Sequence, residues 1–199
     1  MDTPSEQRID LLKAGDLDAF RGLVEEFKRK VYFIAYDIVG DHQEAEDVSQ
    51  DVFIKVYRSL SRFRKDAKMS SWIYQITVNT CIDVIRRRKA KPQVQLADWG
   101  LSERYGDLPG SGGAAPDPAR SAEAALMRRR IDLALTRVSP RERVVFVMRH
   151  FNDFKIREIA EALSVSDGTV KSLLFRALRK LRRELNVQSG GPRLEVRYE

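Results

Sequence analysis

Acidic side chains crowd the segment GDHQEAEDVSQD at residues 40–51, and no lysine or arginine occurs between Gly40 and Lys55. A helix N-terminus favours negative charge, but five carboxylates exceed that need. Paired carboxylates can act as general acid and base or bind a metal ion, yet no phosphate-binding glycine loop or third ligand cluster accompanies them. We interpret the segment as a docking surface for a basic protein, formed by Asp41, Glu44, Glu46, Asp47 and Asp51.

Few residues of the chain are suited to bind a metal ion or to act as a nucleophile. The chain contains one cysteine, Cys81, and two histidines, His42 and His150, which cannot assemble a metal-ligand cluster of the usual spacing. A single cysteine excludes an intramolecular disulfide, and Cys81 lies in an apolar helical stretch where a buried thiol is expected. We therefore expect no catalytic residue, no metal and no cofactor.

A polar stripe follows one face of a predicted helix whose other faces are apolar. The loop FRKDAKMSSW (63–72) precedes this helix, and the basic run RRRKAK (86–91) follows it. Aromatic, amide and basic groups at one end of a helix suit unstacked single-stranded bases, where stacking contributes about 1–3 kcal/mol per base. Packing of those aromatic rings in a core explains them equally well. The stripe recurs at spacings of four, four, four and three residues: Ser71, Gln75, Asn79, Asp83 and Arg86.

Two helices near the C-terminus have the pattern of a helix-turn-helix. They are predicted at about 155–163 and 167–185, separated by the turn Ser164-Val165-Ser166, and Ser166 can cap the second helix. An ordinary helical hairpin with a solvated basic face is the alternative. Outward side chains suited to base edges are Thr169, Lys171, Ser172, Phe175 and Arg176, and those suited to phosphates are Arg179, Lys180, Arg182 and Arg183.

The positive charge of the chain is concentrated in this C-terminal part. The formal net charge is +7, with +2 over residues 1–91, −2 over 92–120 and +7 over 121–199. A localised excess of this kind is typical of a protein that binds a polyanion, and nucleic acid is the leading candidate.

The hydrophobic pattern predicts the helices that position these surfaces. Apolar residues recur at spacings of three and four from Phe20 to Ile38, and Gly40 follows as a C-cap. Further N-terminal helices are predicted at about 9–14, 43–60 and 70–88. No segment shows the sustained alternation of a strand. The N-terminal part is therefore predicted to be a compact helical bundle.

Start signals define the C-terminal helices. Asp117 and Pro118 open a helix that reaches about Arg137, and Ser139 with Glu142 forms a capping box that begins the next one. With the helix-turn-helix, these make a second domain of four helices. The predicted fold class is all-α, with two small helical domains joined by a flexible linker.

The domain boundaries follow from composition. We expect a first domain at 1–90, a linker at 91–117 rich in Pro, Gly and Ser, a second domain at 118–187 and a disordered tail at 188–199. The linker is either a loosely packed loop or a segment that docks through Trp99, Leu101, Tyr105 and Leu108. No apolar run approaches the roughly 20 residues of a membrane span, and the N-terminus is polar, so we expect a cytoplasmic protein with no membrane insertion.

Four sequence blocks together resemble the extracytoplasmic-function (ECF) sigma factors of bacterial RNA polymerase, in the sigma-70 superfamily. They are DLDAFRGLVEEFKRKVYFIAYDIVGD, EAEDVSQDVFIKVYRSLSRF, SSWIYQITVNTCIDVIRRRK and VSPRERVVFVMRHFNDFKIREIAEALSVSDGTVKSLLFRALRKLR. The resemblance implies a non-catalytic initiation subunit that binds core RNA polymerase at the beta-prime clamp and the beta flap. Its N-terminal domain would melt the minus-10 promoter element, and its C-terminal domain would read the minus-35 element. It also implies an anti-sigma factor as partner and association with the nucleoid when bound to polymerase.

The same resemblance assigns roles by position. Contacts to core polymerase are implied for Asp47, Gln50, Asp51, Phe53 and Lys55. Contacts to minus-10 DNA, including a pocket for a flipped base, are implied for Phe63, Arg64, Lys65, Lys68, Ser70, Trp72, Gln75, Asn79 and Arg86. Contacts to minus-35 DNA are implied for Thr169, Lys171, Ser172, Phe175, Arg176 and Arg179. The linker would thread through the polymerase toward the RNA exit path.

Two positions depart from the family pattern. Ser164 stands where relatives usually have glycine, which costs strain if the backbone there is left-handed. Leu173 stands where an arginine is common, so one contact to DNA is expected to be missing. Two other functions remain as alternatives: a regulator that binds duplex DNA alone, which would need neither the acidic helix nor the base-pocket loop, and a DNA-processing enzyme, which lacks a ligand set.

Overall fold

The computed structural model describes residues 6–64, 67–90, 126–127, 130–131 and 133–189, and within these ranges it contains helices and no strand. The all-α prediction is confirmed. The predicted linker at 91–117, the start signal at Asp117 and most of the predicted tail lie outside the described residues. The helices are α1 Glu6–Lys13, α2 Leu17–Val39, α3 His42–Ser59, α4 Met69–Ala90, α5 Pro140–His150, α6 Ile156–Leu163 and α7 Asp167–Ser189, with a 3₁₀ turn at Leu60–Arg62 after α3.

Local caps define both ends of α2 and the start of α3. The Asp16 carboxylate accepts a hydrogen bond of 2.7 Å from the Ala19 backbone at the start of α2. Gly40 ends α2 with φ 82°, a left-handed conformation that glycine adopts without a Cβ penalty, as the sequence predicted. Asp41 then caps α3 through a 2.8 Å hydrogen bond from the Glu44 backbone.

Helices α2, α3 and α4 bury a common core. Helix α4 is buried on more than one side, and its Thr77 and Thr80 hydroxyls are satisfied by the carbonyls of Ile73 and Ile76, one turn earlier. Almost completely buried side chains of this core include Leu23, Phe27, Val31, Ile34, Ile38, Val48, Val52, Val56, Ile73, Val78 and Cys81.

Helix α5 is the centre of the C-terminal part. The capping box is present as predicted: Ser139 Oγ accepts from the Glu142 backbone at 3.3 Å, and Glu142 Oε2 accepts from the Ser139 backbone at 2.9 Å. All side chains from Glu142 to Met148 are buried, because α6 and α7 pack on this helix. Preceding residues 133–135 are helical, and Ala134 and Leu135 join the same core.

The N-terminal and C-terminal helices also pack against each other. Helix α4 contacts both α5 and α6, and α2 contacts α5. The Phe154 ring lies edge-on to Tyr74 at 5.2 Å between centroids, and Lys30 Nζ lies 4.9 Å from the Phe154 centroid. Both rings are 7% exposed. The sequence predicted the two helical groups but not this contact.

Candidate nucleic-acid interface

The turn of the helix-turn-helix is held by backbone geometry. Ser164 ends α6 with φ 53°, and Val165 donates its backbone N–H to the Ala160 carbonyl at 3.0 Å. Ser166 Oγ accepts a 3.2 Å hydrogen bond from the Thr169 backbone and so caps α7. The predicted cap is confirmed, and the backbone at Ser164 is indeed left-handed.

One face of α7 packs against α5 and α6. Val170 and Ala177 are fully buried, Leu181 is nearly so, and Leu173 is 7% exposed. The Leu173 side chain therefore contributes to the core of the domain. An arginine at this position would have to leave that core to reach DNA. With leucine, the position contributes packing within the domain and no contact to DNA.

Between Thr169 and Arg183, the opposite face of α7 is exposed. Phe175 is 56% exposed, which is unusual for a large apolar side chain on an otherwise polar and basic face. Such a group suits a thymine methyl group in the major groove. The exposed side chains include all six that were expected to contact minus-35 DNA: Thr169, Lys171, Ser172, Phe175, Arg176 and Arg179.

Buried Glu142 anchors the basic side chains of α7. Its carboxylate accepts a 2.7 Å hydrogen bond from Lys180 Nζ and lies 3.9 Å from Arg176 Nε. Burial alone would raise the pKa of Glu142, but the hydrogen bonds from Lys180 and Ser139 outweigh it and the pKa is lowered. The sequence identified Glu142 only as a capping-box residue. No local sequence pattern indicates that Glu142 contacts the basic side chains of α7.

The polar stripe of α4 is divided into a covered and an exposed part. Asn79, Asp83 and Arg86 are exposed, whereas Ser71 and Gln75 are half-buried. The latter two contact the helix-turn-helix: Ser71 Oγ donates to Glu161 Oε2 at 2.9 Å, and Gln75 Nε2 donates to Ser164 Oγ at 2.6 Å.

Phe63 does not lie on the surface, where the flipped-base pocket would require it. The ring is only 3% exposed and packs against Trp72 with 5.0 Å between centroids. In this arrangement the Phe63 ring is covered and has a packing role, and its contact with minus-10 DNA stays a prediction. Arg64 and Lys68 are exposed and Ser70 and Trp72 are half-buried, while Lys65 lies outside the described residues.

The acidic segment is only partly available to a partner. Asp41 caps α3, and Glu44 forms an ion pair with Arg88, which also donates to the Val39 carbonyl. The exposed members that remain are Glu46, Asp47 and Asp51.

Apolar side chains extend the acidic surface of α3. Ile54 is 48% exposed and Tyr57 is 44% exposed, with the Tyr57 ring edge-on to Phe20 at 5.0 Å between centroids. Neither residue was predicted to be exposed, although both lie off the buried stripe of Val48, Val52 and Val56, a pattern that predicts exposure. Of the expected polymerase contacts, Asp47, Gln50, Asp51 and Lys55 are exposed and Phe53 is half-buried.

The single thiol is structural. Cys81 is fully buried, and burial raises its pKa to about 12, so the reactive thiolate is disfavoured. Across the described parts of the chain, no group of three or more His, Cys, Asp or Glu residues is arranged to hold a metal ion. No helix within those parts is both long and apolar enough to cross a membrane.

Comparison with known proteins identifies the family. The model of sigma-70 region 2 matches residues 23–91, and that of sigma-70 region 4 matches residues 128–181. The ECF RNA polymerase sigma factor SigW of Bacillus subtilis is 30% identical over 187 residues, which cover 93% of this chain and 98% of SigW. The chain belongs to the ECF sigma factors. The ECF sigma-E factor of Escherichia coli is 29% identical over 172 residues, 85% of this chain and 87% of that relative.

Solved sigma factor structures share the fold of this ECF sigma factor. CnrH in complex with the cytosolic domain of CnrY matches with a TM-score of 0.62 and 21% identity, covering 92% of this chain and 97% of CnrH. RpoE of Bartonella quintana, solved with the anti-sigma factor NepR, matches with a TM-score of 0.55 and 20% identity, covering 85% and 98% of the two chains. Region 2 spans the acidic surface and the α4 stripe, and region 4 spans α5, α6 and most of α7.

Proposed function

We propose that this ECF sigma factor binds core RNA polymerase, directs it to particular promoters and promotes DNA melting, while the polymerase alone forms phosphodiester bonds. The observation that carries the proposal is the exposed face of α7. All six side chains expected to read minus-35 DNA lie on it, opposite a buried seam that fixes the helix on α5 and α6.

Helix α7 would read duplex DNA in the major groove. Arg176 and Lys171 supply donors for base edges, Phe175 supplies an apolar contact, and Arg179 lies one turn further along for a phosphate. The Glu142 carboxylate would hold Arg176 and Lys180 in place before DNA arrives. This preorganisation reduces the conformational entropy lost on binding.

The stripe on α4 would contact the single-stranded minus-10 element. Its exposed amide Asn79 and exposed Arg86 offer hydrogen bonds and charge, and the exposed Arg64 and Lys68 extend this surface toward the preceding loop. Phe63 and Trp72 would support that loop by packing together rather than by stacking on a base.

The outer face of α3 would dock on the polymerase clamp. Exposed Asp47 and Asp51 give it negative charge, and exposed Ile54 and Tyr57 give it apolar area of the kind found at the centre of protein interfaces. A surface this acidic also repels DNA, which keeps the promoter on the α4 side.

An anti-sigma factor is the second protein partner in this proposal. The solved relatives CnrH and RpoE are complexes with the CnrY cytosolic domain and with NepR, respectively. For this chain we propose an anti-sigma factor that covers the α3 face and so blocks polymerase binding. Action at the nucleoid would then follow release from that factor.

Run-off transcription with purified core polymerase tests the proposed function. Core polymerase, promoter DNA and the full chain should give a specific transcript, and omitting the chain should abolish it. Tight binding to duplex DNA with no effect on transcription would indicate a regulator that acts alone. Metal-dependent cleavage of the DNA would indicate an enzyme.

A further inference from the structure

Helix α7 carries many cations and no anion over most of its length. Six lysine or arginine residues lie between Lys171 and Arg183, counting both, and no aspartate or glutamate occurs between Asp167 and Glu184. Cations in this number attract the phosphates of any duplex, whatever its base sequence. A protein that selects promoters competes against a large excess of other sites, so free cations on α7 lower its selectivity.

Glu142 supplies the missing anion from a neighbouring helix. It lies on α5, beneath Lys180 and Arg176, which are four positions apart and therefore on the same side of α7. The Glu142 side chain is 4% exposed, whereas the side chains of Lys180 and Arg176 are 45% and 53% exposed. The anion is thus fixed in the interior, and the two cations extend from it toward the surface.

The capping box at the start of α5 fixes this carboxylate. Glu142 Oε2 accepts hydrogen bonds from the Ser139 backbone N–H at 2.9 Å and from Lys180 Nζ at 2.7 Å. Its Oε1 lies 3.9 Å from Arg176 Nε. Rotation of the carboxylate would break the cap, so the start of α5 sets where two cations of α7 are held.

The carboxylate is ionised at neutral pH. Burial raises the pKa of Glu142, but the hydrogen bonds from Lys180 and Ser139 lower it further, so the pKa lies below its ordinary value. A fixed negative charge this close to Lys180 offsets the attraction of that ammonium for a phosphate.

We infer that Glu142 is a specificity-determining residue of the minus-35 surface, which withholds Lys180 from DNA phosphates and positions Arg176 for a base edge. The inference rests on the proposed function of α7. The first effect lowers the affinity for every sequence, because a phosphate contact carries no sequence information. The second raises the affinity only for the sequence that Arg176 reads. Together they widen the difference between a promoter and other DNA.

Three variants separate charge from position. Glu142→Gln removes the charge and keeps the size of the side chain. The double variant Glu142→Gln with Lys180→Gln restores the net charge but leaves Arg176 without its anion. Glu25→Gln is the matched control, because Glu25 on α2 also pairs with a lysine, Lys28, at 2.6 Å, and its loss changes the net charge equally within region 2.

The measurement uses holoenzyme assembled from core polymerase and the full chain. Its affinity is determined for a promoter duplex that the chain transcribes and for the same duplex with the upstream element scrambled, each over a series of salt concentrations. Because Glu142→Gln also lowers stability, circular dichroism of each chain confirms that the fold is retained at the temperature of the binding measurements.

Glu142→Gln should strengthen binding to the scrambled duplex about fivefold at about 0.15 M salt and steepen the salt dependence by about one, the effect of one added phosphate contact. The ratio of the affinities for the intact and scrambled duplexes should fall about tenfold, as expected when one base contact is weakened. The double variant should recover the wild-type affinity for the scrambled duplex while its ratio stays low. Glu25→Gln should leave both affinities within about twofold.

Two results would overturn the inference. One is a Glu142→Gln holoenzyme with the wild-type salt dependence and the wild-type affinity ratio, since a residue that only stabilises the fold would give that outcome. The other is a Glu25→Gln holoenzyme that changes as much as Glu142→Gln, which would assign the effect to net charge alone.

The wild-type holoenzyme separates this inference from the proposed function. If it binds the intact and scrambled duplexes equally, α7 does not read an upstream element and the proposed function of that helix fails. If the wild type prefers the intact duplex and Glu142→Gln prefers it to the same degree, the role of Glu142 alone is refuted.

Discussion

Individual side chains set how the C-terminal domain presents its charge. Glu142 is 3% exposed and holds Lys180 and Arg176 from beneath α7. A buried carboxylate with cationic partners stabilises the fold while it is ionised and destabilises it when unpaired. The arrangement of the proposed DNA-reading face thus depends on a buried carboxylate beneath it.

Glu142→Gln should destabilise the protein by about 1.5–3 kcal/mol at pH 7, the range for a hydrogen bond to a charged group. Because the pKa of Glu142 is lowered by folding from 4.5, its ionisation contributes stability above that value. The contribution is lost as pH falls through the folded pKa. Urea unfolding at pH 7 and at pH 3 should show a difference between wild type and variant that shrinks at the lower pH. A difference that stays constant would exclude the ionised carboxylate as its source.

Arg176→Ala should weaken transcription from promoters that depend on the minus-35 element. One good contact to a base edge contributes about 1–3 kcal/mol, so we expect a loss of roughly tenfold or more. Arg157→Ala is the control, because Arg157 is an exposed arginine that lies on α6, not α7, and pairs with Glu161. Similar losses in the two variants would argue against a recognition role for Arg176.

Asn79→Ala and Phe63→Ala should have different effects. Asn79 is exposed, so its removal should impair promoter opening and leave the free energy of unfolding nearly unchanged. Phe63 is buried against Trp72, and truncation should cost about 3–5 kcal/mol of stability. Permanganate footprinting of the open complex and thermal unfolding measure the two effects. Full stability in Phe63→Ala would show that the ring is not a core residue.

At the scale of elements, the sequence predicted helix boundaries well wherever neighbouring residues form a cap. Gly40 and Ser139 each predicted a helix boundary to within a residue or two, since a cap depends on residues only three or four positions away. Helix α7 lacks such a stop signal after Leu185 and continues to Ser189. Burial of Phe63 was not predictable, because an aromatic residue in a loop gives the same sequence pattern whether its ring stacks on a base or packs in a core.

Ser139→Ala tests the local capping signal directly. The substitution removes the acceptor for the Glu142 backbone and should destabilise the protein by about 1 kcal/mol. Ser61→Ala is the control, since Ser61 lies exposed in the 3₁₀ turn. Thermal unfolding should separate the two variants, and equal melting temperatures would show that the capping box contributes little.

At the scale of the molecule, two domains that the sequence predicted as separate units share an interface. Its contacts join residues far apart in the chain, such as Asp37 with Asn152, and no local pattern reports them. Membership in the ECF sigma factors implies the parts of a transcription initiation factor, whereas the arrangement of those parts depends on contacts that no local sequence pattern contains. The interface partly covers the proposed single-strand surface and leaves the proposed duplex-reading face of α7 exposed.

Run-off transcription with core polymerase on a promoter that melts in a chain-dependent manner tests the central claim most directly. The account predicts a specific transcript with the wild-type chain. It also predicts loss of that transcript when Asp47 and Asp51 on the acidic face are replaced by lysine, because polymerase docking would fail. A specific transcript made equally well without the chain, or with the charge-reversed variant, would contradict it.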